Sequence, residues 1–95
     1  MKKLIIAICM FATSLVSNSY ADVKMGIILG FTGPIESLTP AMAASAELAF
    51  KEASDSGSLL GGKKISVERA DSTCVDSAAA TSAAEGLVSG GVVAI

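Results

Sequence analysis

The sequence contains no histidine and no tryptophan, has only two cysteines, and lacks a basic cluster. Without histidine, zinc sites and general acid–base catalysis lose their commonest side chain. Two cysteines cannot form a four-thiolate metal site. Nucleic-acid binding needs a basic surface, and the formal net charge of −2 argues against it. The length of 95 residues allows at most one domain.

The hydrophobic residues, which make up 52 % of the chain, are concentrated at the amino terminus. Two lysines precede the uncharged apolar run Leu4–Val16, and small residues stand at the −3 and −1 positions of a cleavage site after Ala21. This arrangement is typical of a secretory signal peptide, and the run is too short for the roughly 20 residues of a membrane-spanning helix. We therefore predict that residues 1–21 are a cleavable signal peptide and that residues 22–95 are exported.

Strands and helices alternate in the exported part. The apolar run Val23–Gly30 is typical of a central parallel strand, and the alternating segment Lys64–Asp71 predicts a strand near a sheet edge. A helix is predicted to begin at Thr39, a second one to run from an Asp76 cap to Ser89, and a third strand to begin in Val92–Ile95. This order predicts the α/β class, with a β-α-β-α-β start of a parallel sheet of strand order 2-1-3.

Both predicted helices carry an apolar stripe. In the first helix we expect Thr39 as the N-cap, Pro40 at the first helical position, an ion pair between Glu47 and Lys51, and a left-handed Gly57 after the end. The predicted stripes contain Met42, Ala46, Ala49, Phe50 and Ala53 in the first helix, and Ala80, Ala83, Ala84, Leu87 and Val88 in the second.

The third strand would leave an apolar sheet edge without a partner, and 74 exported residues would bury only a thin core. We therefore expect residues 22–95 to be the N-terminal part of a longer chain. The alternative is a complete small secreted protein whose last strand is frayed.

The segment Gly57–Lys63 matches the phosphate-binding pattern G-x-x-x-x-G-K. However, Lys64 follows it where serine or threonine would bind magnesium, and the segment connects a helix to a strand instead of a strand to a helix. We therefore interpret it as a glycine-rich turn with solvated lysines, and we expect no cofactor and no metal.

The segment Phe31–Leu38 is the best functional candidate, because it leaves the carboxyl end of the first strand, where open α/β sheets bind ligands. A plain connecting turn is the alternative. We expect Asp71 to end the second strand. Cys74 either forms a disulfide with a residue beyond Ile95 or is a buried free thiol, while Cys9 belongs to the predicted signal peptide.

Three segments together resemble the start of the type I periplasmic solute-binding proteins, and in particular the branched-chain amino-acid (Leu/Ile/Val) binding group of ABC transporters. They read VKMGIILGFTGPIESL with the helical SAELAFKEA, then GSLLGGKKISVERADSTC, then AAATSAAEGLVSGGVVAI. The resemblance implies that residues 22–95 are the N-terminal part of lobe 1 of a two-lobed, soluble periplasmic protein. It implies a small-molecule ligand held by clamshell closure, a membrane permease as partner, and no enzymatic activity.

The resemblance also implies roles for individual residues. Leu38, with Ser37 beside it, matches the position that lines the ligand cleft. Glu36 departs from the family pattern, and we expect it either to salt-bridge a cationic ligand or to be simply exposed in the loop. Cys74 matches the first cysteine of a family disulfide, whose second cysteine would lie beyond Ile95. An exported ligand-sensing domain of the same fold, coupled to a receptor instead of a permease, is the alternative function, and an exported α/β enzyme is a third.

Overall fold

The computed structural model describes residues 22–95, so the predicted signal peptide and its Cys9 lie outside the described residues. The elements, in chain order, are β1 (Val23–Leu29), α1 (Thr39–Asp55), a 3₁₀ turn (Leu59–Gly61), β2 (Ile65–Asp71) and α2 (Ser77–Ser89). The predicted α/β class is therefore confirmed. In this part of the chain, no helix is long and apolar enough to cross a membrane.

The sheet has β1 at its centre. All seven residues of β1 pair in parallel with the seven residues of β2. On the opposite side of β1, Met25 forms a parallel bridge with Ala94. The Val93 amide donates to the Lys24 carbonyl oxygen, and the Gly26 amide donates to the Ala94 carbonyl oxygen, each at 2.8 Å. The predicted third strand is therefore present only as a single bridge, because two hydrogen bonds are too few for a strand, but it lies on the predicted side of β1.

The two helices cover opposite faces of this sheet. Gly26 and Ile27 are successive residues of β1, so they face opposite sides. Gly26 lies so close to Leu87 of α2 that a Cβ at this glycine would be only 3.0 Å from Leu87 Cδ1. Ile27 is in register with Arg69 of β2, and Arg69 pairs with Glu47 of α1. The result is a three-layer arrangement with a helix on each face.

The inward face of α1 differs from the predicted stripe. Thr39 and Ala43 are fully buried, whereas Met42 is 53 % exposed, so the prediction that Met42 lies in the core is wrong. Thr39 is also not an N-cap: Leu38 occupies that position and no side chain caps the helix. Instead, the Thr39 hydroxyl donates to the Gly30 carbonyl oxygen at 3.0 Å. This bond turns Thr39 inward, and Ala43 follows one helical turn later on the same face.

The ion pairs of α1 also differ from the prediction. Glu47 pairs with Arg69 through two contacts, at 2.5 Å to Nε and 2.7 Å to Nη2, and Lys51 pairs with Asp55 instead. The predicted pair of Glu47 and Lys51 is wrong, because the planar guanidinium on the facing strand offers two parallel donors and the lysine offers a point charge. Gly57 has φ +68°, so its predicted left-handed conformation is confirmed.

The second helix follows its prediction more closely. Asp76 Oδ1 accepts hydrogen bonds from the amides of Ala78 and Ala79, at 2.8 and 3.3 Å, so the predicted cap is confirmed. Leu87 is 1 % exposed and packs on the sheet. Val88 is 63 % exposed, and its predicted place in the apolar stripe is wrong, because it lies one residue, or about 100°, past the buried face.

Candidate functional site

Both strands end at the same edge of the sheet, because they run parallel. This edge, called here the carboxyl edge, carries the β1–α1 loop (residues 30–38) and the β2–α2 loop (residues 72–76). The Ser72 amide donates to the Leu29 carbonyl oxygen at 2.9 Å and continues the strand pairing into the loops. Open α/β sheets bind ligands outside the carboxyl ends of their strands, so this edge is the candidate site.

The carboxylate of Asp71, the last residue of β2, joins the two loops. Its Oδ1 accepts from the backbone amides of Phe31 at 2.9 Å, Thr32 at 3.3 Å and Thr73 at 2.8 Å. Its Oδ2 accepts from the Thr32 hydroxyl at 2.6 Å. One side chain therefore connects the start of the β1–α1 loop to the start of the β2–α2 loop.

These contacts favour the ionised form of Asp71. The hydrogen bond from the Thr32 hydroxyl and then the bond from the Thr73 amide hold the pKa of this carboxyl below its ordinary value of 3.8, while desolvation acts in the opposite direction. Asp71 is therefore an anion at neutral pH, and it is held by donors that are themselves uncharged.

Phe31 makes a second contact, through its ring. The Arg69 guanidinium lies over this ring, with Cζ at 5.5 Å from the ring centroid, a distance at which a cation and an aromatic face attract each other. The pairing with Glu47 keeps the guanidinium in place and raises the pKa of Arg69. The loop residue Phe31 is thus held by its backbone through Asp71 and by its ring through Arg69.

Two glycines let the loops pack closely. A Cβ at Gly30 would lie 2.9 Å from the Cβ of Cys74, and a Cβ at Gly33 would lie 2.7 Å from the Thr73 carbonyl oxygen. Gly33 also has φ +99°, a conformation that side chains rarely adopt. The backbones of the two loops therefore meet at positions that have no room for a side chain.

The β2–α2 loop contains two consecutive left-handed residues that are not glycine. Thr73 has φ +59° and Cys74 has φ +65°, and such a conformation costs about 1–2 kcal/mol per residue. The Thr73 hydroxyl oxygen is buried without a hydrogen-bond partner within residues 22–95. The bond from the Thr73 amide to Asp71 stabilises this unfavourable turn.

The three predicted ligand residues lie side by side at the end of the β1–α1 loop. Glu36, Ser37 and Leu38 are all exposed, and Leu38 is 60 % exposed. Their turn is held locally, because the Leu38 amide donates to the Ile35 carbonyl oxygen at 2.9 Å. The structure brings the three residues together at the carboxyl edge, and their role in binding stays a prediction.

A comparison with protein-family models identifies this arrangement. The model for the periplasmic binding proteins matches residues 22–95, which is the whole described part of the chain. The chain belongs to the periplasmic binding protein family. Members of this family bind small-molecule ligands and work in the periplasm, so the predicted ligand-binding role is confirmed at this level. Neither the search of curated proteins nor the search of solved structures returned a match.

Cys74 of this periplasmic binding protein is a free, exposed cysteine in the described residues. The alternative that it is a buried thiol is therefore wrong, whereas the disulfide to a residue beyond Ile95 stays a prediction. Cys74 lines a shallow concavity of about 360 Å³ at the carboxyl edge, together with Ser72, Val75, Asp76, Ser77 and Ala80. Residues 22–95 contain no group of histidine, cysteine, aspartate or glutamate side chains arranged to hold a metal ion.

The sequence interpretation missed the residues that organise the site of this binding protein. Asp71 was predicted only to end a strand, and Thr32 and Thr39 were assigned no contact across the fold. The available signal was an aspartate at the end of β2. The loop that follows the neighbouring strand, β1, begins beside it and offers backbone amides as donors. The glycine-rich turn from Gly57 to Lys63 does connect a helix to a strand, as predicted, so it does not have the geometry of a phosphate loop.

Proposed function

We propose that residues 22–95 are the N-terminal part of lobe 1 of a periplasmic receptor that delivers an amino acid, or a related small amide, to the permease of an ABC importer. Branched-chain amino acids are the first ligands to test, because the sequence resembles that group. The ligand is held between two lobes that close around it, and the described residues supply one wall of one lobe.

The observation that carries this proposal is that two loops are held together at the carboxyl edge of the sheet. Asp71 and the close glycine contacts hold two loops together at the end of the sheet where ligands bind in this fold class. The exposed residues 36–38 of the first loop are then free to contact a ligand. Leu38 supplies apolar surface to an aliphatic side chain, and the Glu36 carboxylate supplies a negative charge to an ammonium group.

Titration calorimetry of the complete protein with a panel of amino acids and small amides tests the ligand class. We expect saturable binding with a dissociation constant in the micromolar range or below for at least one member. No heat from any member would overturn the proposed ligand class.

A matched pair of variants tests the placement of the site. Leu38 and Leu60 are exposed to 60 % and 59 %, but Leu60 lies in the turn before β2, at the opposite end of the sheet. Replacing the contact of one leucine side chain by alanine weakens binding by about tenfold or more when the side chain touches the ligand. We expect this loss for Leu38→Ala and no change for Leu60→Ala, and equal effects of the two variants would contradict the placement.

Two further measurements test the export and the transport. Amino-terminal sequencing of the protein from the periplasmic fraction should begin at Asp22 if the signal peptide is removed after Ala21. Uptake of the labelled ligand should be lost in a strain without the protein and restored by the complete chain. Normal uptake in the deletion strain would overturn the importer role and favour a receptor that senses the ligand.

A further inference from the structure

The β1–α1 loop has few connections to the rest of the fold. Within residues 22–95, the side-chain hydrogen bonds that join the first half of this loop to the neighbouring strand all end on Asp71. The other hydrogen bonds of the loop are either internal, from the Glu36 amide to Gly33 and from the Leu38 amide to Ile35, or join it to β1 and α1, which flank it in the chain. Within residues 22–95, the loop is therefore hydrogen-bonded to β2 at its start alone, through Asp71.

The Asp71 carboxylate is suited to hold that start. An ionised acceptor makes shorter and stronger hydrogen bonds than a neutral one, and here a single carboxylate receives four donors from Phe31, Thr32 and Thr73. The nearest cation on the same strand, Arg69, is paired with Glu47. Removing the carboxylate would leave these donors without their acceptor.

We propose that Asp71 is the positioning residue of the ligand site, whose carboxylate holds Phe31 and Thr32 so that residues 36–38 face the ligand. This inference rests on the proposed function, because it takes residues 36–38 to be the residues that contact the ligand. Asp71 contacts Phe31 and Thr32 at the start of the loop, so its effect on the ligand is indirect and acts through the position of residues 36–38.

The first test needs no ligand. Amide hydrogen exchange is measured on the complete protein for the wild type, Asp71→Asn and Asp71→Ala. Loss of a hydrogen bond to a charged group corresponds to about a tenfold or larger change in local opening. We expect the amides of Phe31, Thr32 and Thr73 to exchange at least about tenfold faster in Asp71→Ala. Asp71→Asn, which keeps one acceptor oxygen, should show a smaller increase.

Asp76→Ala is the matched control, because it removes the other aspartate of this region. Asp76 caps α2 through Ala78 and Ala79, and its side chain makes no bond to the β1–α1 loop. We expect faster exchange at Ala78 and Ala79 only. If Asp76→Ala accelerates the exchange of Thr32 as much as Asp71→Ala does, or if Asp71→Ala leaves it unchanged, the proposal is overturned.

The second test measures ligand affinity under conditions where thermal melting shows each variant to be folded. We expect the dissociation constant to rise about tenfold in Asp71→Ala and to stay within about twofold in Asp55→Ala, which removes an aspartate at the far end of α1. Thr32→Val removes only the hydroxyl contact, so it serves if Asp71→Ala does not fold. It should raise the dissociation constant about threefold, and an unchanged value would overturn the proposal.

The two proposals fail in different ways. If the wild-type protein binds no member of the panel, the proposed function fails, and the exchange data still decide whether Asp71 holds the loop. If the wild type binds and Asp71→Ala accelerates exchange without weakening binding, the proposed function stands and the positioning role of Asp71 is wrong.

Discussion

Replacing Thr39 by valine should destabilise the protein although the two side chains have nearly the same shape. Thr39 is fully buried, and its hydroxyl donates to the Gly30 carbonyl oxygen at 3.0 Å. Threonine and valine are both β-branched and have similar helix propensities, so α1 itself gains or loses little. The change therefore isolates one buried hydrogen bond between the start of α1 and the end of β1.

The size of the destabilisation follows from the buried carbonyl oxygen that loses its donor. Thr39→Val leaves the buried Gly30 carbonyl oxygen without this donor, and a buried acceptor that loses its partner costs about 1–3 kcal/mol. Because the site is fully enclosed, water cannot replace the hydroxyl without a rearrangement of the helix start. We expect a decrease of about 2 kcal/mol in the free energy of unfolding.

Urea unfolding followed by circular dichroism measures this change. Thr81→Val is the matched control, since the Thr81 hydroxyl also donates to a backbone carbonyl oxygen, that of Ser77 at 2.9 Å, but at an exposed site. Water can solvate the Ser77 carbonyl group after that change, so we expect a loss of less than about 0.5 kcal/mol. A loss for Thr39→Val no larger than that for Thr81→Val would refute the reasoning.

Three further results are expected. Gly33→Ala should lower the free energy of unfolding by about 2 kcal/mol, which is more than Gly61→Ala should. Both glycines have a positive φ, but only at Gly33 would a Cβ meet the Thr73 carbonyl oxygen. Equal losses of stability in urea unfolding would contradict the contact. The contacts that depress the pKa of Asp71 stabilise the fold above its ordinary pKa of 3.8, and this stabilisation is lost as the pH falls from 3.8 through the lower folded pKa. Over that pH range Asp71→Asn should therefore lose less stability than the wild type, and parallel acid curves would argue against it. The exposed Cys74 of residues 22–95 should react with a thiol reagent without denaturant, and protection in the complete protein that is lifted only by a reductant would support the predicted disulfide.

The elements could be predicted because their signals are local. The strand and helix patterns, the Asp76 cap and the left-handed Gly57 each depend on a few neighbouring residues. The apolar stripes were less accurate at their margins. Met42 and Val88 are apolar and lie one residue away from the buried face, and the helix rotation that exposes them is set by contacts with the sheet.

The contacts that organise the site could not be predicted from local patterns. Asp71 and Thr32 are far apart in the chain and meet only because two parallel strands end together. Glu47 had a suitable partner one helical turn away, in Lys51, and a better one across the fold, in Arg69. Such competition is decided by the geometry of two donors on a facing strand, which a single sequence does not reveal.

The close approach of the two loops at Gly30 and Gly33 has a consequence for protein engineering. Saturation mutagenesis at these two positions should yield few folded proteins, because every side chain would meet backbone or Cβ atoms of the neighbouring loop. Randomising Glu36, Ser37 and Leu38, which are exposed, should leave the contacts between the two loops intact. A library confined to these three codons is therefore an economical way to test whether residues 36–38 determine ligand specificity without disturbing the contacts between the two loops.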